Sequence, residues 1–440
     1  MKTRKDLTRL VLMTAISAAV IALPSCSKKG CTDPNATNYD AEAKKDDGSC
    51  EQSTATYTIE DKTISGTVYS QVSGTINEDY TFSASKNWLL SGAVFVDNGA
   101  TLTIEAGTTV YADDDASAPT AFLSILRGGK IMAQGSASAP IVFTPVSTNP
   151  TSGAWGGIVI NGYATINAGE EAQGEGGSGT YGGSIDTDNS GVISYVRVEY
   201  AGKIIGTNNE MNGFSFNGVG SGTTVDHVQA YMGADDGFEF FGGKVSVKYA
   251  VSTGNSDDSF DWTHGWTGNG QFWVVEQSTA SGDRGIEADN NGDNNTLTPY
   301  SNPTLSNLTL VGADDGDSEN TGMRLREGTK GMIYNAIVTG FPKNGVRVSD
   351  QVTTDNMTAG ELSVSNSYVY GNGTNWKDCA DFENDATNSS TDPSVLSGYV
   401  GTTSTNAIDP TTLGSWFSAA TFAGAVESSN DWTAGWTRGL

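Results

Sequence analysis

The chain has 440 residues, with 51 acidic against 24 basic side chains and a formal net charge of −27. Such a surface repels nucleic acid and anionic lipid headgroups, and it attracts divalent cations. His227 and His264 are the only histidines, which excludes a multi-histidine metal centre, and no spacing of the four cysteines suits a zinc site. Fifty-five glycines point to turns and short strands, not helices.

At the N-terminus, Lys2, Arg4, Lys5 and Arg9 precede an apolar run from Leu10 to Leu23. This is a signal-peptide pattern, too short and wrongly flanked for a spanning helix. The run ends in Leu23-Pro24-Ser25-Cys26, which resembles a bacterial lipobox. The resemblance implies that residues 1–25 are removed and that Cys26 carries the acyl chains. The protein is then expected at the outer membrane, held by lipid and not by a helix. Whether it faces the periplasm or the cell surface stays open. Ser27-Lys28-Lys29 lacks the acidic run associated with surface export.

Residues 26–56 form a polar, turn-rich spacer. With Cys26 lipidated, Cys31 and Cys50 can close a small loop in an oxidising compartment. Cys379 is left over and is read as a buried thiol. The segment bounded by Cys31 and Cys50 resembles a short cysteine-bounded module found near the termini of secreted Bacteroidota proteins. Its acids could hold calcium, or it is a stapled spacer.

From about Phe82 the pattern becomes strand, turn, strand: Ala93-Val-Phe-Val and Thr101–Val110 alternate apolar and polar residues around Asn98-Gly99. Five-residue segments then recur. They are Asn212–Phe216, Asp236–Phe240, Asp258–Trp262, Arg284–Ala288, Thr321–Leu325 and Asn344–Val348, at offsets of 24, 22, 26, 37 and 23 residues. This spacing predicts an all-β fold, a β-solenoid of about 20–25 residues per coil. The long step implies an insertion at Asp289–Pro303, and others are expected at 168–189 and 372–392. The solenoid is placed at 57–409, with Tyr57–Tyr80 as an N-terminal cap and the aromatic 410–440 segment as a C-terminal cap.

Positions three and five of each segment should face the core. They read Phe214, Phe238, Phe260, Ile286, Met323, Val346 and Phe216, Phe240, Trp262, Ala288, Leu325, Val348. Every one is apolar. The stretches Thr101–Val110, Ala154–Gly162 and Asp188–Gly202 resemble right-handed parallel β-helix lipoproteins of Bacteroidota and related bacteria, within the pectate-lyase-like fold. The resemblance spans about residues 82–440 and implies the fold more than an activity.

The fourth positions form an outward ladder: Ser215, Glu239, Asp261, Glu287, Arg324, Arg347. Rungs ~4.8 Å apart set like charges against each other at about 1 kcal/mol per neighbouring pair in water. Three readings are open. The acids and amides shape turns on a solvated ladder. Alternatively Glu239, Asp261, Glu287, Asp236 and Asp258 hold Ca²⁺. In the third, the catalytic candidates Asp236, Asp258, Glu239 and Asp261 cleave glycan, with Arg284 as the candidate base. Asp236, Asp257-Asp258, His264-Gly265 and Arg324-Leu325-Arg326 superficially resemble polygalacturonases, but the histidine comes too early and the basic pair ends in arginine, not lysine. Trp266, in a polar loop, is a candidate sugar platform, with Glu287, Arg324 and Arg347 as further ligand contacts. The expected function is a binding or adhesion scaffold for extracellular polysaccharide, with Ca²⁺ as a cofactor. The alternatives are a polysaccharide lyase or glycoside hydrolase, and an accessory subunit of an outer-membrane uptake or secretion system.

Overall fold

Alternating side chains in short segments cannot bury a face alone; stacking in parallel buries it against the next coil. In the computed structural model, which describes residues 28–32, 40, 42–49, 56–207, 209–279, 282–314 and 319–440, the chain does this from Thr67 to Lys377. The chain is a right-handed parallel β-helix in which twenty-five strands are joined by hydrogen bonding. Each coil supplies strands to three sheets, and each strand pairs in parallel with its counterparts one coil away. In the middle coils two of the three strands are halves of one bent strand. Thr224–Tyr231 pairs on both sides of a bend at His227 with Gly191–Glu199 before it and Ser246–Thr253 after it.

The remaining sheet stacks Ile158–Asn161, Phe214–Asn217, Phe238–Phe241, Phe260–Thr263, Arg284–Ala288, Thr321–Leu325, Asn344–Val348 and Thr374–Lys377. Its register is the one read from the sequence: Phe214 opposes Phe238, then Phe260, Ile286, Met323 and Val346. Both inward rows are fully buried in one continuous core. Phe214, Phe238 and Phe260 stack face to face at 5.1 and 4.9 Å, because the parallel repeat superimposes identical rings.

The bends share a feature that the sequence reading did not identify. Tyr195, His227, Tyr249, Phe272, Asn307, Asn335 and Asn366 all have positive φ. A left-handed non-glycine residue costs roughly 1–2 kcal/mol. Here the cost is offset by an external ring stack, with Tyr195 on His227 at 4.1 Å, His227 on Tyr249 at 4.3 Å and Tyr249 on Phe272 at 4.9 Å.

The C-terminal segment lies along this corner as a strap and does not cover the last coil. Asn366 donates to the Asn406 carbonyl, Asn335 to that of Ile408, and Asn307 to that of Phe422. Trp432 then packs on Tyr249 and Trp436 on Tyr195. Arg438 ends the run on Glu199 at 2.6 Å. The strap therefore travels back toward earlier coils. At the last coil, Ala380–Glu383 forms a short helix that buries Phe382, and Cys379 is buried beside it. Residues 372–392 are accordingly no insertion: they hold the last strand of the stacked sheet and this helix. At the other end, Thr56–Ile64 runs antiparallel to Thr67–Ile76, whose far edge starts the parallel stack.

The segment up to Thr54 is a separate compact unit. Among its described residues, Lys29–Gly30 pairs with Lys45–Asp46, and Lys28 reaches Asp40 at 2.9 Å. Cys26 and Cys50 lie outside the described residues, as does the whole apolar run. Cys31 is buried. No helix among the described residues is long and apolar enough to cross a membrane.

Candidate functional site

The outward row of the stacked sheet carries the chemistry. Ser215 opposes Glu239, then come Asp261, Glu287, Arg324, Arg347 and Lys377. Acids thus give way to bases along one open face. The turns entering these strands add Asp235, Asp236, Asp257, Asp258 and Asp283. Among the described residues, four overlapping triads each place one oxygen per residue within 4.8 Å of the others. They are Asp235/Asp236/Asp257, Asp236/Glu239/Asp261, Asp257/Asp258/Asp283 and Asp258/Asp261/Glu287.

The two gaps between these coils differ. On the side of Glu287 the acids are neutralised. Arg284 pairs with Asp283 and lies 3.0 Å from Glu287 and 3.6 Å from Asp258. Arg326 reaches Glu287 at 2.6 Å and grips Asp289 with two bonds of 2.8 and 2.9 Å. Among the described residues, the other gap, around Asp236, Glu239 and Asp261, has no arginine or lysine paired with it. Glu239 accepts one hydrogen bond, 2.6 Å from Asn212, and Asp236 accepts the Asp258 backbone N–H at 2.9 Å. Asp261 Oδ1 has no hydrogen-bond partner here, and on the arginine side Asp258 Oδ1 and Glu287 Oε1 have ion-pair contacts without a hydrogen bond. Two excursions bring further acid toward this gap: Glu175 from the 168–189 insertion and Glu210 from the hairpin of Ile204–Gly206 with Asn209–Glu210.

Burial, compounded by neighbouring carboxylates, raises Asp236, Glu239, Asp258 and Asp261 well above the usual carboxylate range. The same causes push Asp235 up to about 8, with Asp257 its largest charged neighbour, and Glu175 up to about 7, with Glu210. Burial also lifts Asp289 to about 7 despite Arg326. A set of crowded, unpaired oxygens is what a hard divalent cation satisfies: Ca²⁺ takes six to eight oxygen ligands, and its charge would remove the repulsion.

Residues 74–437 match the pectate-lyase like beta helix domain. The chain belongs to this family. No curated protein matches it. In this pectate-lyase-like β-helix the sheet bearing the carboxylates runs from Gly74–Ile76 to Thr374–Lys377, inside the matched region.

The β-helix brings Asp236, Glu239, Asp258, Asp261, Arg284 and Glu287 together and leaves Arg324 and Arg347 half-exposed farther along the same ladder. It does not bring Trp266 to the surface. That side chain is fully buried, stacked on Phe240 at 4.3 Å, with its N–H donated to the Val245 carbonyl. The loop polarity that suggested exposure belongs to its neighbours; the ring fills the core where the coil turns. Sequence reading also missed Glu175, Glu210, Asp289 and Tyr181. Tyr181 is buried, with its hydroxyl 3.1 Å from His264 Nδ1. The insertion itself was legible, but nothing local to it says which way Glu175 and Tyr181 turn.

Proposed function

We propose that the protein binds anionic polysaccharide through calcium held at the arginine-free gap, and that lipid on Cys26 tethers it to the outer membrane as a binding or adhesion scaffold. The juxtaposition of an unneutralised carboxylate gap with a row of arginines on one face carries this reading. Asp236, Glu239 and Asp261, with Asp235 and Asp257, would hold the ion, and the ion would supply a positive centre for a glycan carboxylate or sulfate. Arg324, Arg347 and Lys377 would take the next anionic groups. A disulfide between Cys31 and Cys50 would stiffen the tether.

Two features weigh against a lyase that uses Arg284 as its base and against an inverting hydrolase. Arg284, the candidate base, is held protonated: burial opposes its charge, but Asp258, Glu287, Asp283 and Asp257 together keep its pKa above the usual value. The carboxylates of the open gap approach within 4.8 Å, closer than the roughly 6.5–9.5 Å of an inverting pair. As to the subunit reading, the exposed large apolar side chains among the described residues are Val68, Ile185, Ile204 and Ile205, too few for a flat apolar contact face.

The test is titration of oligogalacturonate and oligomannuronate into the protein by calorimetry, in millimolar Ca²⁺ and in EDTA. Saturable binding with calcium that vanishes in EDTA is expected. Equal binding in EDTA would refute the metal-bridged arrangement, and release of unsaturated products would move the assignment to a lyase.

A further inference from the structure

The ladder does not start at Glu239. Its outward row extends upstream through Ser215, Val159 and Ser124, positions that an open sheet face would leave wet. They are 4, 2 and 0 % exposed. The 168–189 insertion covers the start of this row, and Met211 and Asn212 close over the rest. The buried Ser178 accepts, through its backbone carbonyl, hydrogen bonds from Ser124 Oγ at 2.5 Å and Asn161 Nδ2 at 3.0 Å. Gly174 and Gly179 lie so close that a Cβ on either would stand 2.8 Å from Asn217 Nδ2 or 2.6 Å from Leu126 Cδ2. Glycine is what lets the insertion press onto the sheet here. Val159 is sealed beside it in a small apolar cluster with Phe122 and Met211. Asn209 accepts the Gly176 N–H at 2.7 Å and ties in the neighbouring hairpin.

Downstream the situation reverses. Glu239, Asp261, Arg324 and Arg347 are half-buried and Lys377 is exposed, while Glu287 between them is buried beneath Arg284 and Arg326. From Glu239 to Lys377 the ladder advances five rungs, or about 24 Å. One end of the groove is therefore a packed wall and the other is open.

We infer that the groove receives the end of an anionic glycan chain and not its interior, with the terminal sugar against the wall at the Asp236/Glu239/Asp261 gap and the following rings along Arg324, Arg347 and Lys377. The inference rests on the reading of the site as a calcium-dependent glycan binder and adds to it which part of the polymer is held. A chain passing through would have to displace Ser178 and expose Ser124, Val159 and Asn161.

Size-fractionated oligogalacturonates and oligomannuronates, titrated into the full protein with calcium, separate the alternatives. End binding gives an affinity per chain that stops rising once the ladder is filled, and one protein per chain at every length. An open groove gives an affinity per chain that grows with the number of registers, and long chains carry several proteins. That second outcome overturns the inference while leaving calcium-dependent binding intact. Failure of both series to bind at any length overturns both. Sedimentation of the protein with the longest fraction supplies the stoichiometry independently of calorimetry.

Discussion

Asp236 belongs to both carboxylate triads of the gap without an arginine, Asp235/Asp236/Asp257 and Asp236/Glu239/Asp261, so Asp236→Asn is the most informative single change. Asparagine keeps an oxygen to accept the Asp258 N–H and removes only charge. In the metal-free protein the folded pKa of Asp236 stands well above its unfolded value of 3.8, through burial and then Asp258, Glu239 and Asp261. The folded state thus retains a proton that the unfolded state releases. Its contribution is fully present below about pH 4 and is lost as pH rises through the folded pKa, at up to about 1.4 kcal/mol per pH unit. Asparagine mimics the protonated acid and releases no proton on unfolding, so in EDTA the variant should match wild type near pH 4 and gain on it by up to about 1.4 kcal/mol per pH unit above that, until the folded pKa is passed. At pH 9 it should be the more stable of the two. The bare repulsion at rung spacing, about 3–4 kcal/mol per pair at an effective dielectric of 20, is one part of that gain, and burial is the other. Calcium at a hundredfold excess over its Kd should stabilise wild type by about 2.7 kcal/mol, and the variant far less. Thermal unfolding at pH 6, 7.5 and 9, with EDTA and with calcium, reads all of this. An equal calcium shift in both proteins would refute the placement of the ion, and metal-free stability that rises with pH across this window would refute the repulsion argument.

Four further outcomes are expected. Arg284→Met should destabilise the protein by about 3–5 kcal/mol by leaving the buried Asp258 without its cation and taking one from Asp283 and Glu287, and added calcium should recover part of the loss in a denaturant melt; no loss would mean these acids are solvated. Trp266→Ala should cost about 3–5 kcal/mol as a core deletion while leaving oligosaccharide affinity per folded molecule unchanged; a selective loss of affinity would restore the ring as a ligand contact. Cys379, whose thiol burial pushes up to about 12, should resist alkylation at pH 8 until the protein is denatured, as mass spectrometry would show. Arg438→Ala should weaken the strap by about 1–3 kcal/mol, because Glu199 is buried and would keep only Arg197 and Thr144; proteolysis near residues 428–440 should then accelerate.

The ladder was legible because a parallel coil reads its own sequence directly. Alternation fixes which side chains face in, and equal segments fix the register, so Glu239, Asp261, Glu287, Arg324 and Arg347 fall in line without knowledge of any loop. Trp266 shows where that logic stops. It lies outside the alternating segment, and its direction depends on packing with Phe240 and Trp273. Glu175 and Glu210 are brought in by excursions whose paths are set by tertiary contacts. The bend residues did carry a signal: Tyr195, His227, Tyr249, Phe272, Asn307, Asn335 and Asn366 each sit a few residues into an alternating run and break it. The strap carried a weaker one, since its tryptophans fit a cap as well as they fit a corner.

The strap also bears on how the molecule is made. Coils of a solenoid touch only their neighbours and can form in order as the chain emerges. Arg197 nevertheless donates to the carbonyl of Trp436, 239 residues later. The ring stack of Tyr195, His227 and Tyr249 therefore stays bare until the final residues of the chain arrive, and an assembled set of coils waits for its fastening. A chain truncated before Trp432 would have every rung of the carboxylate ladder and would still present that aromatic edge to solvent, open to whichever apolar surface reached it first.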